Sequence, residues 1–226
     1  GGRHLSVIRH RSGTRTDTAS ALALQLGQFR FTRKPFISQE SHNKGLVKTV
    51  TSDTILVKFA NLPDIDAMQR VTIVGFPGAL ASTITGMMDL FQLAGVTWAR
   101  IQGSEPEQLF SVELLTLDGA PCRCLNGISL LAHGSLADHP PGDLVLVPTI
   151  GGPIEKTLAE AGPILGWLNQ QAIAGSTIAS NCTGAFLLGE AGLLDGKKAT
   201  THWGFSYLFL QRFPAVDCHP EHFFFF

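Results

Sequence analysis

Charged residues make up only 15% of the 226-residue chain, a scarcity that excludes the strongly charged, disordered classes of protein. Long apolar runs are missing as well. No stretch approaches the roughly 18 uninterrupted apolar residues of a membrane span, and no compact apolar segment with a small-residue cleavage site stands near the N-terminus. The chain therefore reads as soluble, unexported and cytoplasmic, with no membrane partner. Its four cysteines, Cys122, Cys124, Cys182 and Cys218, are too few and too irregular for a disulfide framework. Cys122-Arg123-Cys124 lacks the two-residue gap of a zinc knuckle, and the eight histidines are scattered with no His-Glu-x-x-His spacing. Neither a metal site nor a cofactor is expected.

The small net charge hides an asymmetry. Residues 1–67 hold ten Lys/Arg against five Asp/Glu, whereas residues 68–226 hold seven against thirteen. The first segment has little apolar rhythm: "ASALALQLG" (19–27) suits two helical turns and "TILVKFANL" (54–62) a strand, with polar sequence between them. Its six arginines and one acid over residues 3–33 superficially match an organelle transit peptide. Two plainer expectations are a poorly ordered basic extension and sequence upstream of the true start, and the second is preferred because Met68 is followed at once by the kind of strand on which α/β domains open. No run of five or six like charges marks it as a nucleic-acid arm.

From Met68 onward the punctuation changes. "VTIVGF" (71–76), bounded by Pro77-Gly78, predicts a strand buried on both faces. Thr83 to Ala94 predicts a helix stopped by Gly95. "LFSVELLTLDG" (109–119) predicts a strand with an Asp-Gly turn into "PCRCLNG" as a hairpin, and "DLVLVP" (143–148) a second buried strand. Residues 155–172 are helical, with Pro163 either kinking one helix or starting another. "STIAS" (176–180) is a short strand, and Thr183 to Ala191 a helix stopped by Gly192. This alternation implies a mostly parallel sheet with helices on both faces. Ligands of such open sheets bind beyond the carboxyl ends of the strands. Three stretches should meet there: the turn at Gly78, the Gly151-Gly152 loop, and Cys182.

Cys182, in "IASNCTGAFLL", stands where a strand must turn sharply into a helix, and Ser180, Thr183, Gly184 and Ala185 are small enough to allow it. A lone cysteine in apolar sequence is most simply an inert core residue. The elbow setting favours instead an exposed thiol beside the positive end of a helix. His202 follows after one helix and a connection, as a candidate proton acceptor. The N–H groups of Gly151, Gly152 and Thr183 are candidate oxyanion donors.

These residues carry a likeness. "RVTIVGFPGALASTITGMMDLF", "DLVLVPTIGG" and "IASNCTGAFLLGEAGLLDGKKATTHW" resemble the ThiJ/PfpI family of the class I glutamine amidotransferase-like superfamily, and most of all the amino-terminal domain of AraC-type transcriptional regulators. The resemblance runs from about Met68 to His222. It implies a flavodoxin-like doubly wound sandwich, usually a homodimer, with Cys182 as the elbow cysteine and His202 as its neighbouring histidine. It also implies a carboxylate in the first strand–helix turn of enzymatic members, such as isocyanide hydratases and deglycase- or glyoxalase-like proteins. The position that aligns with this acid is Thr83.

A threonine hydroxyl donates a hydrogen bond but does not exchange protons readily near pH 7. The expected function is therefore sensing of a small-molecule effector rather than catalysis. A Cys182/His202 hydrolase or lyase acting on a small substrate, and a redox-sensing thiol, stand as alternatives. The resemblance also implies a further strand and long helix and, in regulators, a C-terminal helix-turn-helix domain, none of which follows "RFPAVDCHPEHFFFF" here. The chain is expected to be a fragment of a longer protein, one that does not bind DNA by itself.

Overall fold

The computed structural model describes residues 69–222. The basic segment, with its expected helix at 19–27 and strand at 54–62, and the terminal phenylalanines lie outside the described residues. The first strand, β1 (Gln69–Gly75), forms where the β-branched run was expected and ends because Pro77 supplies no N–H to continue the ladder. Gly78 then turns the chain at φ +83°, a conformation open to glycine.

Helix α1 (Ala81–Leu93) begins two residues earlier than expected. Leu80 supplies the extended entry to the helix, so Thr83 lies inside the first turn instead of opening it. Ile84, Met87 and Phe91 recur on the buried side of α1, and the Phe91 ring meets Phe110 edge-on at 5.1 Å. A short helix α2 (Thr97–Gln102), not foreseen, buries none of its side chains, which explains its faint apolar signal.

Strand β2 (Phe110–Thr116) pairs in parallel with β1, Val71 opposite Val112. The expected hairpin is displaced. The chain does not fold back on β2 at the Asp-Gly turn; β3 (Cys122–Arg123) and β4 (Ser129–Leu130) form their own antiparallel ribbon around Gly127. β2 is already flanked by parallel partners, β1 on one side and β5 (Gly134–Ser135) on the other, so no place remains for an antiparallel one.

β6 (Leu144–Val147) is wholly buried along its length, as a central strand covered on both faces must be. The helical segment that follows is two helices, α3 (Ile154–Glu160) and α4 (Gly162–Ile173), with Pro163 in the first turn of the second. β7 (Thr177–Ser180) pairs with β6, giving the parallel order β5-β2-β1-β6-β7. Within it, β2-β1-β6-β7 has the doubly wound order 2-1-3-4 expected of a flavodoxin-like sheet.

After β7 comes a 3-10 turn (Cys182–Gly184) and then α5 (Ala185–Glu190), shorter than the helix expected at 183–191. A small parallel ribbon, β8 (Lys198–Ala199) with β9 (Asp217–Cys218), brackets a second 3-10 turn (Trp203–Phe205) and α6 (Ser206–Arg212). Phe186, Phe209 and Phe213 pack edge-to-face beneath this unit, with ring centroids 5.0–5.9 Å apart. Each such buried ring contributes about 2–3 kcal/mol. Arg212 joins α6 to α5 and α3 through Glu190 and Glu155, both at 2.8 Å. Among the described residues no helix is long and apolar enough to cross a membrane.

Candidate functional site

The three stretches expected at the carboxyl edge do meet, and backbone hydrogen bonds hold them there. Leu80 N–H donates to the Thr149 carbonyl at 3.0 Å, and Ala79 and Ile150 form a bridge, which ties the loop after β1 to the loop after β6. The Thr183 hydroxyl donates to the Ile150 carbonyl at 2.9 Å, and the Thr149 hydroxyl to the Asn181 side chain, tying both to the elbow. The β3–β4 ribbon closes the group: Gly78 N–H donates to Arg123 and Leu125 N–H to Ala79.

Cys182 is, among the described residues, the one non-glycine with positive φ, at 54°. An L-residue held in that region costs of order 1–3 kcal/mol, sustained by the surrounding bonds. Asn181 enters in extended geometry with its N–H on the Val147 carbonyl at 2.9 Å, and the Gly184 N–H returns to the Asn181 carbonyl at 2.8 Å. Gly184 is required by close approach. A Cβ there would lie 2.6 Å from the Val147 oxygen and 2.7 Å from that of Pro148. The Cys182 side chain itself is half-buried, while Thr183, Gly184 and Ala185 are buried.

Gly151 and Gly152 are at this edge, but both N–H groups donate to the Gly78 carbonyl, at 2.9 and 3.2 Å. They stabilise the loop in this conformation and are not presented to a ligand oxyanion.

The Thr83 hydroxyl donates to the Leu80 carbonyl at 2.8 Å, so its proton is directed into the helix turn. His202 caps the second 3-10 turn, with Nδ1 accepting from Gly204 N–H at 3.1 Å. In the neutral ring that leaves Nε2 carrying the proton, a donor with no lone pair to offer. The ring stacks on Trp203 at 5.3 Å and meets Phe205 edge-on at 5.8 Å. Among the described residues no hydrogen bond joins the Cys182 sulfur to His202 or Thr83.

Sequence reasoning missed the residue that links these segments. The Thr201 hydroxyl donates to the Cys182 carbonyl at 3.2 Å, and Thr201 is buried. The only sequence signal was a second threonine before His202. Burial and the neighbouring Cys124 push the Cys122 thiol up to about 12, and burial also raises Cys124 and Cys218. Among the described residues no group of three His, Cys, Asp or Glu side chains is placed to hold a metal.

The model of the DJ-1/PfpI family matches residues 83–211, more than half of the chain. The chain is 34% identical over 113 residues to the HTH-type transcriptional regulator CdhR of Pseudomonas aeruginosa, covering 50% of this chain and 33% of that protein. It is 37% identical over 108 residues to an isonitrile hydratase of Pseudomonas putida, covering 47% and 46%. The chain thus spans less than half the length of either relative.

Among solved structures, an AraC family transcriptional regulator from Pseudomonas putida superposes with a TM-score of 0.52 at 25% identity, over 67% of this chain and 76% of that one. A DJ-1 superfamily protein from Salmonella typhimurium, at 18% identity, shares the fold with a TM-score of 0.51 over 68% and 74%.

Proposed function

The chain belongs to the DJ-1/PfpI family, and from that premise we propose that residues 68–226 are the ligand-sensing domain of an AraC-type transcriptional regulator. The observation that carries this reading is the state of the two proton partners. Thr83 gives its proton to Leu80, and His202 gives its lone pair to Gly204. A thiol-dependent hydrolase or lyase needs a base that takes the thiol proton and an acid that returns it to the product. With both groups turned to the backbone, Cys182 is a wall of a small-molecule pocket at the sheet edge. The regulator relatives support the same reading. In this reading the domain acts as a homodimer in the cytoplasm, and DNA is contacted through a separate helix-turn-helix domain.

The test compares Cys182→Ala with the parent chain. Small effectors that raise the melting temperature of the parent should raise that of the variant as well, and neither should turn over isocyanides or small aldehydes. Turnover that Cys182→Ala abolishes would overturn the sensing role. It would favour the second reading, an isocyanide hydratase-like enzyme, which the strained elbow and the isonitrile hydratase relative support.

A further inference from the structure

The stretch around β9 carries a cluster of titratable side chains that the sensing edge does not use. The His219 ring stands between two carboxylates, with Nδ1 3.0 Å from Glu221 Oε1 and Nε2 2.9 Å from Asp217 Oδ1. Only the imidazolium has an N–H on both nitrogens. A neutral ring would turn one lone pair toward a carboxylate at this distance, so the arrangement belongs to the charged form. Hydrogen bonds to Glu221 and Asp217 accordingly hold the His219 proton above the usual histidine range.

Other titratable groups surround the ring without displacing it. His222 lies 5.7 Å away, ring to ring, and its Nε2 is 3.9 Å from the Glu221 oxygen that His219 holds more closely. On β8 and before it, Lys198 is the ribbon partner of Asp217, and the Lys197 carbonyl accepts from the Asp217 N–H at 3.0 Å. Cys218 is raised by burial and then by Glu221 and Asp217, so it stays a neutral thiol while His219 titrates.

The same ring anchors a turn. His219 N–H donates to the Ala199 carbonyl at 2.9 Å, and His222 N–H donates to the His219 carbonyl at 3.1 Å. The His222 carbonyl then accepts from the Thr200 hydroxyl at 2.7 Å. Thr201 comes next in the chain, and its hydroxyl donates to the Cys182 carbonyl at 3.2 Å. A residue held at φ 54°, as Cys182 is, persists there only while its surroundings oppose relaxation. One run of bonds therefore joins the His219 ring to the elbow.

We propose that His219 is a proton-operated clasp on the elbow: its charged ring ties Asp217 to Glu221 and holds the 219–222 turn against Thr200, and loss of the ring proton releases the turn and slackens the hold of Thr201 on Cys182. On deprotonation one carboxylate faces a lone pair and swings into solvent. The clasp is fully closed below the usual histidine range and opens as pH rises through the raised one. All three side chains are partly exposed, so added salt screens the attraction and moves the opening to lower pH. The clasp needs only the backbone at Cys182 and no ligand, and so stands apart from the sensing role.

Nuclear magnetic resonance of the full chain tests the clasp itself. The His219 ring, identified by its loss in His219→Gln, should titrate at higher pH in the native chain than in urea, and Asp217→Asn and Glu221→Gln should each lower its midpoint. The His222 amide should lose about tenfold in hydrogen-exchange protection at that same midpoint. The link to the elbow is read as the ratio of Cys182 alkylation rates in His219→Gln and the parent, which cancels the ionisation of the thiol common to both. That ratio should be about 3 near pH 6 and fall to about 1 near pH 9. In a Thr200→Val background it should be 1 at every pH, because the link is cut while the ring still titrates. A native His219 midpoint at or below that in urea, a His222 amide indifferent to the midpoint, a ratio flat in pH, or a ratio that persists without the Thr200 hydroxyl would overturn the proposal. The urea comparison and the amide readout use the parent chain and stand even where a variant does not fold.

Discussion

The β3–β4 ribbon and the elbow after β7 place cysteines within one hydrogen-bonded cluster of loops, yet treat them in opposite ways. In the ribbon, Cys122 and Cys124 are 2% and 6% exposed, donate to the backbone carbonyls of Phe76 and Cys122, and are raised by burial. At the elbow, Cys182 is half-buried, has no hydrogen-bonded side-chain partner among the described residues, and is held at φ 54°. Ribbon thiols occupy backbone of ordinary negative φ and owe their character to surroundings. The elbow thiol owes its character to the backbone that carries it. Identity of the side chain decides neither outcome; solvent access and local conformation do.

The largest expected effect is on thiol chemistry. At pH 8 a monothiol alkylating reagent should modify Cys182 in the native chain at least ~100-fold faster than Cys122. Burial of Cys122 keeps the reagent out, and a thiol pushed up to about 12 carries very little of the reactive thiolate at that pH. Peptide mapping after timed quenching measures this, and equal rates would erase the contrast.

Next in size is the steric demand of each region. Gly184→Ala drives a Cβ against two backbone oxygens and should cost about 3 kcal/mol in urea denaturation. Gly127→Ala, at φ +79° in the ribbon turn with open space around it, should cost only the conformational penalty of about 1–2 kcal/mol. A reversed order would show that the elbow backbone yields where the ribbon does not.

Alkaline titration separates the regions further. The native chain keeps the Cys122 proton up to about 12, whereas the unfolded chain loses it near its ordinary value of 9.0. The native state therefore binds more protons across that interval, and the contribution to stability, full below pH 9.0, falls as pH rises toward 12. Urea midpoints should decline over this range in the parent, and Cys122→Ala should flatten the decline.

Smallest is the link between the elbow and His202. Thr201→Val removes one donor to the Cys182 carbonyl and should cost about 1 kcal/mol. It should also alter the alkylation rate of Cys182 while leaving Cys122 and Cys124 as slow as before. An unchanged Cys182 rate would show that Thr201 does not help hold the elbow.

Much of the fold was legible because its signals are local. The β-branched run at 71–76, the continuous apolar run at 143–148, and Pro77-Gly78 as a stop each dictate a strand or a turn from near neighbours alone. Errors arose where a distant partner decides. The hairpin assigned after residue 109 failed because β2 is occupied by parallel strands on both sides, which no Asp-Gly pair reports. Helix α2 escaped notice because nothing in it is buried. At the site, the small residues around Cys182 announced a sharp turn, and Gly184 proves to need its lack of a Cβ. Nothing local could reveal that the N–H groups of Gly151 and Gly152 are already taken by Gly78.

The sequence by itself determined the parallel α/β architecture and the sharp turn at Cys182, since periodicity and small residues are written along the chain. Only the tertiary structure decided what each polar group is free to do. A hydrogen bond joins one donor to one acceptor across any sequence distance, and here Leu80 takes the proton of Thr83, Gly204 the lone pair of His202, and Thr201 holds Cys182 from the far side of α5.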